Sequence, residues 1–216
     1  MLWLLKENGL SNLRISKKKF IYLISPNSIY PQFYQDLDKV LETRKVGLFQ
    51  LRLKKYSFKQ KILIGKKVQE ICKKNSVKFI VNDDPILSKK LNADGCHLGQ
   101  KDMNINIAKK IIGNKIIGIT CHNSIKLAKA AIKEKASYIA FGAFFFTKTK
   151  KVKFKAKIEI LNKAKKLSQT PIVAIGGINI NNYKKLLLNN ANLLAISGYV
   201  WNNKKYKPLE TIEKLK

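Results

Sequence analysis

The chain is 216 residues long, 45% hydrophobic and 26% charged. Apolar side chains at that density build a sizeable core, which excludes a disordered chain, and the absence of any run of about 18 uninterrupted apolar residues excludes a membrane-spanning segment. Lys and Arg number 44 against 13 Asp and Glu, a net charge of +31 at neutral pH. Such an excess suits polyanions: nucleic acid, anionic lipid or phosphorylated small molecules. It is almost all lysine, scattered among many Asn and Ile, with only three arginines (Arg14, Arg44, Arg52). Compositional bias accounts for that distribution without a partner, and it is preferred here over a dedicated nucleic-acid surface. The opening Met1-Leu2-Trp3-Leu4-Leu5 is too short for the apolar part of a secretory leader, and no cationic segment precedes it. Cys72, Cys96 and Cys121 share no C-x-x-C spacing and cannot all pair, as expected of reduced thiols in a cytoplasmic protein.

In chain order, short runs rich in Ile, Val and Phe fall at Phe20–Ile24, Val46–Leu51, Lys78–Val81, Gly95–Leu98, Lys115–Ile119, Tyr138–Phe141, Ile172–Ile175 and Leu193–Ile196. Near-continuous apolar runs of this length suit strands buried on both faces of a parallel sheet. Between them, Phe58–Lys73, Ser124–Glu134 and Ile158–Leu167 carry apolar residues at helical spacing. Strand alternating with helix over the whole length predicts an α/β chain, a single-domain (β/α)8 TIM barrel at residues 20–216. A short N-terminal extension at 1–19, expected to be helical, would close the barrel bottom. An open doubly wound sheet is the alternative, weakened because no G-x-G-x-x-G follows the first strand.

In a barrel, chemistry gathers where strands end and βα loops begin. The second strand runs out through Gln50, Arg52 and Lys54, which the period-two rule places on one side as a phosphate clamp. The third ends in Asn82-Asp83-Asp84-Pro85 and the fourth is followed by Gly99-Gln100-Lys101-Asp102. Acids at two successive strand ends suit Mg²⁺, which takes one or two carboxylates plus substrate phosphate and water. Asp84-Pro85 reads as a helix cap with Pro at the first helical position, leaving Asp83 as the freer ligand.

The fifth strand ends in Thr120-Cys121-His122, where a Cys–His dyad lacks an orienting carboxylate; Cys96-His97 reads as packing plus a satisfied imidazole. Thr147, Thr149 and Lys150 stand in a loop after the sixth strand that would close over an anion. Gly176-Gly177 and Ile196-Ser197-Gly198 offer backbone N–H groups where this barrel usually binds phosphate. The residues alone therefore indicate a Mg²⁺-dependent barrel enzyme acting on phosphorylated small molecules.

Six motifs in order, Gln-x-Arg-x-Lys, Asn-Asp-Asp, Asp-Gly-x-His-x-Gly-Gln-x-Asp, Thr-x-Thr-Lys, Ala-Ile-Gly-Gly-Ile and Ile-Ser, resemble the thiamine-phosphate synthase (thiamine-phosphate pyrophosphorylase) family from about Tyr22 to Trp201. The resemblance implies a transferase on a (β/α)8 barrel that joins a pyrimidine methyl diphosphate to a thiazole phosphate, giving thiamine phosphate and diphosphate. By matching position it implies that Gln50, Arg52, Lys54, Asn82, Thr120 and Lys150 contact the pyrimidine diphosphate, with Arg52, Lys54 and Lys150 catalytic. It further implies that Asp83 and Asp102 bind Mg²⁺, and that Thr147, Thr149, Gly177, Ile196 and Ser197 form the thiazole phosphate pocket. Four positions depart from the family: Leu53 replaces a common Glu, Thr120 a frequent Ser, Phe146 a frequent Pro, and Lys101 adds charge beside Asp102. The related thiazole tautomerase, with His122 as its acid–base, is the runner-up; it needs neither the paired acids nor Thr-x-Thr-Lys. A basic nucleic-acid-binding protein is a further alternative, without an RNA-recognition signature or dense Arg/aromatic pattern to support it.

Overall fold

The structure, a computed structural model, describes residues 18–147 and 153–215. Eight strands, β1 (Ile21–Ile24), β2 (Val46–Leu51), β3 (Lys78–Asn82), β4 (Gly95–Leu98), β5 (Ile116–His122), β6 (Tyr138–Gly142), β7 (Ile172–Ile175) and β8 (Leu193–Ile196), pair in parallel in chain order. Pairing of β8 with β1, through Ile21 with Leu194 and Leu23 with Ile196, closes the barrel and leaves no sheet edge. The connections carry α1 (Phe33–Glu42), α2 (Phe58–Lys74), α3 (Pro85–Lys90), α4 (Ile105–Ile112), α5 (Ile125–Lys133), α6 (Glu159–Lys165) and α7 (Tyr183–Leu188); α8 (Gly198–Trp201) and α9 (Pro208–Glu213) follow β8. This is the (β/α)8 barrel expected from the alternation. Of the N-terminal extension expected at 1–19, residues 1–17 lie outside the described residues.

The strands hold two cores because successive side chains point to opposite faces. Outward residues such as Leu23, Phe49, Phe79, Val81, Ile117, Ile139 and Ala174 join the helices in the larger cluster. Inward residues Tyr22, Ile24, Leu48, Ile80, Ile116, Tyr138, Ala140, Val173, Leu193 and Ala195 plug the barrel. Glycines make room for bulk within it: a Cβ on Gly118 would fall inside the Tyr138 ring. The next inward positions after Leu48, Ile80 and Gly118 are Gln50, Asn82 and Thr120, so the same period that builds the plug sets polar groups above it.

Local signals fix the helix starts. Ser57 and Gln60 form a reciprocal capping box on α2, and the Ser124 hydroxyl accepts from the Leu127 N–H on α5. The fifth strand runs three residues beyond the apolar run that ends at Ile119, through Thr120, Cys121 and His122, and across a bulge between Thr120 and His122 it keeps pairing with β6.

Phe33 of α1 ties the helical layer to the barrel's first strands, meeting Tyr30, Tyr34, Phe49 and Trp201 at ring separations of 5.3–6.5 Å. Phe33→Ala should therefore cost about 3–5 kcal/mol through lost transfer energy and an unfilled cavity. The measurement is the urea unfolding midpoint; an unchanged midpoint would remove Phe33 from the core.

Candidate active site

A cavity of about 770 Å³ opens at the C-terminal ends of the strands, lined by residues from every strand or the loop that follows it. Gln50, Arg52, Lys54, Asn82, Asp83, Asp102, Thr120, Thr147, Gly177, Ile196 and Ser197 all line it. The expected site residues thus come together from positions up to the full barrel apart in sequence. Thr149 and Lys150 lie outside the described residues.

The clamp after β2 is held by the neighbouring loop. The Arg52 backbone N–H donates to the Ser25 hydroxyl at 2.9 Å, and its guanidinium donates to Asn27 Oδ1 at 3.1 Å. Burial lowers the Arg52 pKa from its usual value, while Asp83 works in the opposite sense. A partly desolvated guanidinium beside a cavity gains most from an anion that restores its lost hydration. Lys54 reaches Asp83 at 3.0 Å.

Asp83 and Asp84 have separate tasks despite their adjacency. Asp84 accepts from the Leu87 N–H at 2.9 Å and caps α3, with Pro85 at its first position, as the sequence indicated. Asp83 is turned into the cavity by a left-handed backbone, φ 65°, and its N–H donates to the His97 carbonyl at 2.8 Å. Burial opposes its charge, but hydrogen bonding with Asp102 and the Lys54 ammonium prevail, so its carboxyl lies below the usual range. Asp102 lies above it, raised by burial and then by Asp83, although one of its oxygens accepts from the Gly99 N–H at 2.6 Å. Two carboxyls turned toward each other repel when both are charged, which drives their proton affinities apart and favours a cation between them. Among the described residues no group of three or more His, Cys, Asp or Glu gathers to hold a metal. A cation here would rest on two hard carboxylate oxygens and take its remaining ligands from substrate and water, a set that fits Mg²⁺ and not Zn²⁺.

The opposite wall is backbone. Gly176 (φ 103°) and Gly177 (φ 65°) both follow β7 in the left-handed region. A Cβ on Gly177 would strike the Phe146 carbonyl and Phe145, so the loop after β6 passes directly over it. Ser197 precedes the short α8, its hydroxyl donating to the Ser25 carbonyl at 3.1 Å. That bond ties the pocket after β8 to the loop that also holds Arg52.

The structure separates Cys121 from His122. Cys121 is fully buried, its thiol pushed up to about 12 by burial, whereas His122 lines the cavity and lies against Phe154 with ring centroids 4.4 Å apart. They occupy opposite sides of β5, so no nucleophilic dyad is formed. His97 is satisfied as expected, through the Tyr138 hydroxyl at 3.0 Å and Thr120 Oγ1 at 2.8 Å, yet it also lines the cavity. The sequence reading missed that second property, together with Tyr22 and Lys153, which line the cavity too. Tyr22 and His97 were legible as inward positions of β1 and β4; Lys153 belongs to a run in which Lys alternates with Val152, Phe154, Ala156 and Ile158, a pattern that reads as one solvated face.

The thiamine monophosphate synthase family model matches residues 21–200. The chain belongs to that family. It is 64% identical over 200 residues to the thiamine-phosphate synthase of Pelagibacter ubique, covering 92% of this chain and 97% of the relative. The thiamine-phosphate synthase of Rhodospirillum centenum is 38% identical over 185 residues, covering 85% and 89% of the two chains. The thiamine phosphate pyrophosphorylase structure from Pyrococcus furiosus superposes with a TM-score of 0.81 at 28% identity, covering 92% of this chain and 95% of that one. Family membership makes the protein an enzyme, a transferase, and neither the tautomerase nor the nucleic-acid reading is favoured by these relatives.

The division of labour between the adjacent acids can be measured. Asp84→Ala should lower stability by about 1 kcal/mol through loss of the α3 cap while leaving activity within a fewfold of the parent. Activity lost without a change in stability would place Asp84, not Asp83, in the site.

Proposed function

We propose that the chain condenses 4-amino-2-methyl-5-(diphosphooxymethyl)pyrimidine with 4-methyl-5-(2-phosphoethyl)thiazole, or its carboxylated form, to thiamine phosphate and diphosphate. The observation that carries this is the pairing, across one cavity, of a cationic clamp beside two facing carboxylates with a glycine-lined wall suited to a second phosphate. Each anionic group of the two substrates then has its own set of donors.

In this reading Arg52, Lys54, Thr120 and Lys150 bind the diphosphate, while the Gln50 and Asn82 amides orient the pyrimidine ring. Thr147, Thr149, Gly177, Ile196 and Ser197 receive the thiazole phosphate. The bond from the pyrimidine methyl carbon to oxygen breaks with its electron pair leaving on diphosphate. The resulting methyl cation is stabilised by the ring amino group, and the thiazole nitrogen lone pair then forms the new carbon–nitrogen bond. Arg52, Lys54 and Lys150 act by neutralising charge where it grows, a fixed electrostatic arrangement that needs no reorganisation. No protein nucleophile is required, in keeping with the separation of Cys121 from His122. Mg²⁺ held by Asp83 and Asp102 would supply charge neutralisation on the leaving diphosphate.

The same reading makes the partners phosphorylated small molecules, with no dedicated nucleic-acid partner and no membrane. Among the described residues no helix is long and apolar enough to cross a membrane. The three buried free thiols support a cytoplasmic setting. The working unit is one barrel domain at 20–216 with the extension at 1–19.

The test mixes protein, Mg²⁺ and both substrates and follows thiamine phosphate as fluorescent thiochrome. Product that disappears with EDTA and with Asp83→Ala is expected. A metal-dependent Asp83→Ala enzyme would remove Asp83 as a ligand, and a folded parent without product would remove the synthase reading. Lys150→Ala should weaken the diphosphate substrate's binding and turnover; a change confined to thiazole affinity would move Lys150 to the other pocket.

A further inference from the structure

A single file of hydrogen bonds crosses the barrel beneath the cavity. Gln50 Nε2 donates to the Tyr22 hydroxyl at 2.7 Å, and the Tyr22 and Tyr138 hydroxyls lie 2.7 Å apart. The Tyr138 hydroxyl stands 3.0 Å from His97 Nδ1, and His97 Nε2 stands 2.8 Å from Thr120 Oγ1. Five side chains from β2, β1, β6, β4 and β5 are joined in this way. The two phenols are almost wholly buried, with 1% exposure at Tyr22, on the cavity floor, and none at Tyr138. Their rings meet edge to face at 5.6 Å, and Tyr138 stacks on His97 at the same separation. Gly118 leaves the space the Tyr138 phenol fills.

With the Gln50 amide turned so that Nε2 faces Tyr22, the file with a neutral imidazole has one arrangement of protons that satisfies every buried donor. The Gln50 amide nitrogen offers only hydrogens, so the Tyr22 oxygen accepts there and must place its own proton on Tyr138. Tyr138, accepting from Tyr22, directs its proton to His97 Nδ1. That nitrogen is then the bare one, and the proton of the neutral ring sits on Nε2, donated to Thr120 Oγ1. With its oxygen accepting from His97, Thr120 keeps its own proton for whatever occupies the cavity. The reverse order would point the Tyr22 proton at the Gln50 N–H groups and leave a buried hydroxyl without an acceptor, at the cost of that group's desolvation.

We propose that Tyr138 is a positioning residue, which carries the polarity set by Gln50 to His97, fixes its Nε2–H tautomer and so commits the Thr120 hydroxyl to donate to an anion in the cavity. The identification of that anion as the substrate diphosphate rests on the function proposed above; the polarity of the file does not. Tyr138 touches no substrate in this account. Its effect passes through His97 and Thr120, and a hydroxyl forced to accept would repel the same anion.

Nitrogen NMR of the imidazoles tests it, and the chain's two histidines keep the spectrum simple. Long-range proton–nitrogen correlation on the whole protein without substrate, assigned with His97→Asn, should show His97 as the neutral Nε2–H tautomer. The Nδ1–H tautomer or a doubly protonated ring would overturn the proposal, whatever reaction the enzyme performs. Tyr138→Phe keeps the ring and its packing but removes the proton donor to Nδ1. It should mix the two tautomers and lower kcat/KM for the diphosphate substrate in proportion to the Nε2–H share that remains, about twofold for an even mixture. A Tyr138→Phe protein with the parental His97 spectrum would show that the tautomer is set elsewhere, and would overturn the role of Tyr138. If that variant fails to fold, the spectrum of the parent still decides the polarity.

Discussion

The mouth of this barrel depends on the side-chain plug beneath it. Closure of β8 on β1 forces every strand to turn alternate residues inward, and the inward residues of one turn of register fill the bore with Tyr22, Leu48, Ile80, Ile116, Tyr138 and Leu193. Because the plug is solid, the next polar residues along the strands cannot sink into it. Gln50, Asn82, His97 and Thr120 are held at its upper surface, where they meet a cavity instead of solvent or core. These four side chains therefore owe their placement to rigid strands, whereas Arg52, Lys54, Asp83 and Asp102, past strand ends, owe theirs to loops.

Electrostatics add direction to that scaffold. The chain carries a large positive charge, yet the site is not simply the most basic place on it. It sets Arg52 and Lys54 beside Asp83 and Asp102, and the two carboxyls face each other with opposed proton affinities. A site of this kind discriminates by arrangement. A diphosphate with a divalent cation satisfies all four groups together, while an anion alone faces two carboxyls and a cation alone faces two basic side chains. The scattered surface lysines raise the local concentration of anions in general and select none of them.

Much of this was legible in the sequence because barrel strands are short apolar runs between helical stretches. The eight runs located the strands to within a residue or two at most ends, and the polar residues after them marked the mouth. Asp84 and Asp83 were separable because a cap followed by Pro85 has a local signature. The bulge in β5 was not legible: the register shift between Thr120 and His122 depends on pairing with β6, a tertiary event with no mark in the strand itself. The part played by Tyr22 and Tyr138 was hidden for a different reason. Buried aromatic residues in a strand read as core, and only the closed ladder shows that their hydroxyls meet at 2.7 Å in the middle of the bore. His97 was read as a satisfied imidazole, which it is, but the identity of its partners could not be deduced from one strand.

The central claim is that one cavity sets a cation between Asp83 and Asp102 beside a diphosphate held by Arg52 and Lys54. The most direct measurement is a crystal soaked with diphosphate and Mn²⁺ in place of Mg²⁺, examined by anomalous scattering. The account predicts one strong anomalous peak within bonding distance of both carboxylates and of a diphosphate oxygen, with Arg52 and Lys54 on the same anion. Diphosphate bound in the cavity with the manganese elsewhere, or an ordered manganese touching neither Asp83 nor Asp102, would contradict it.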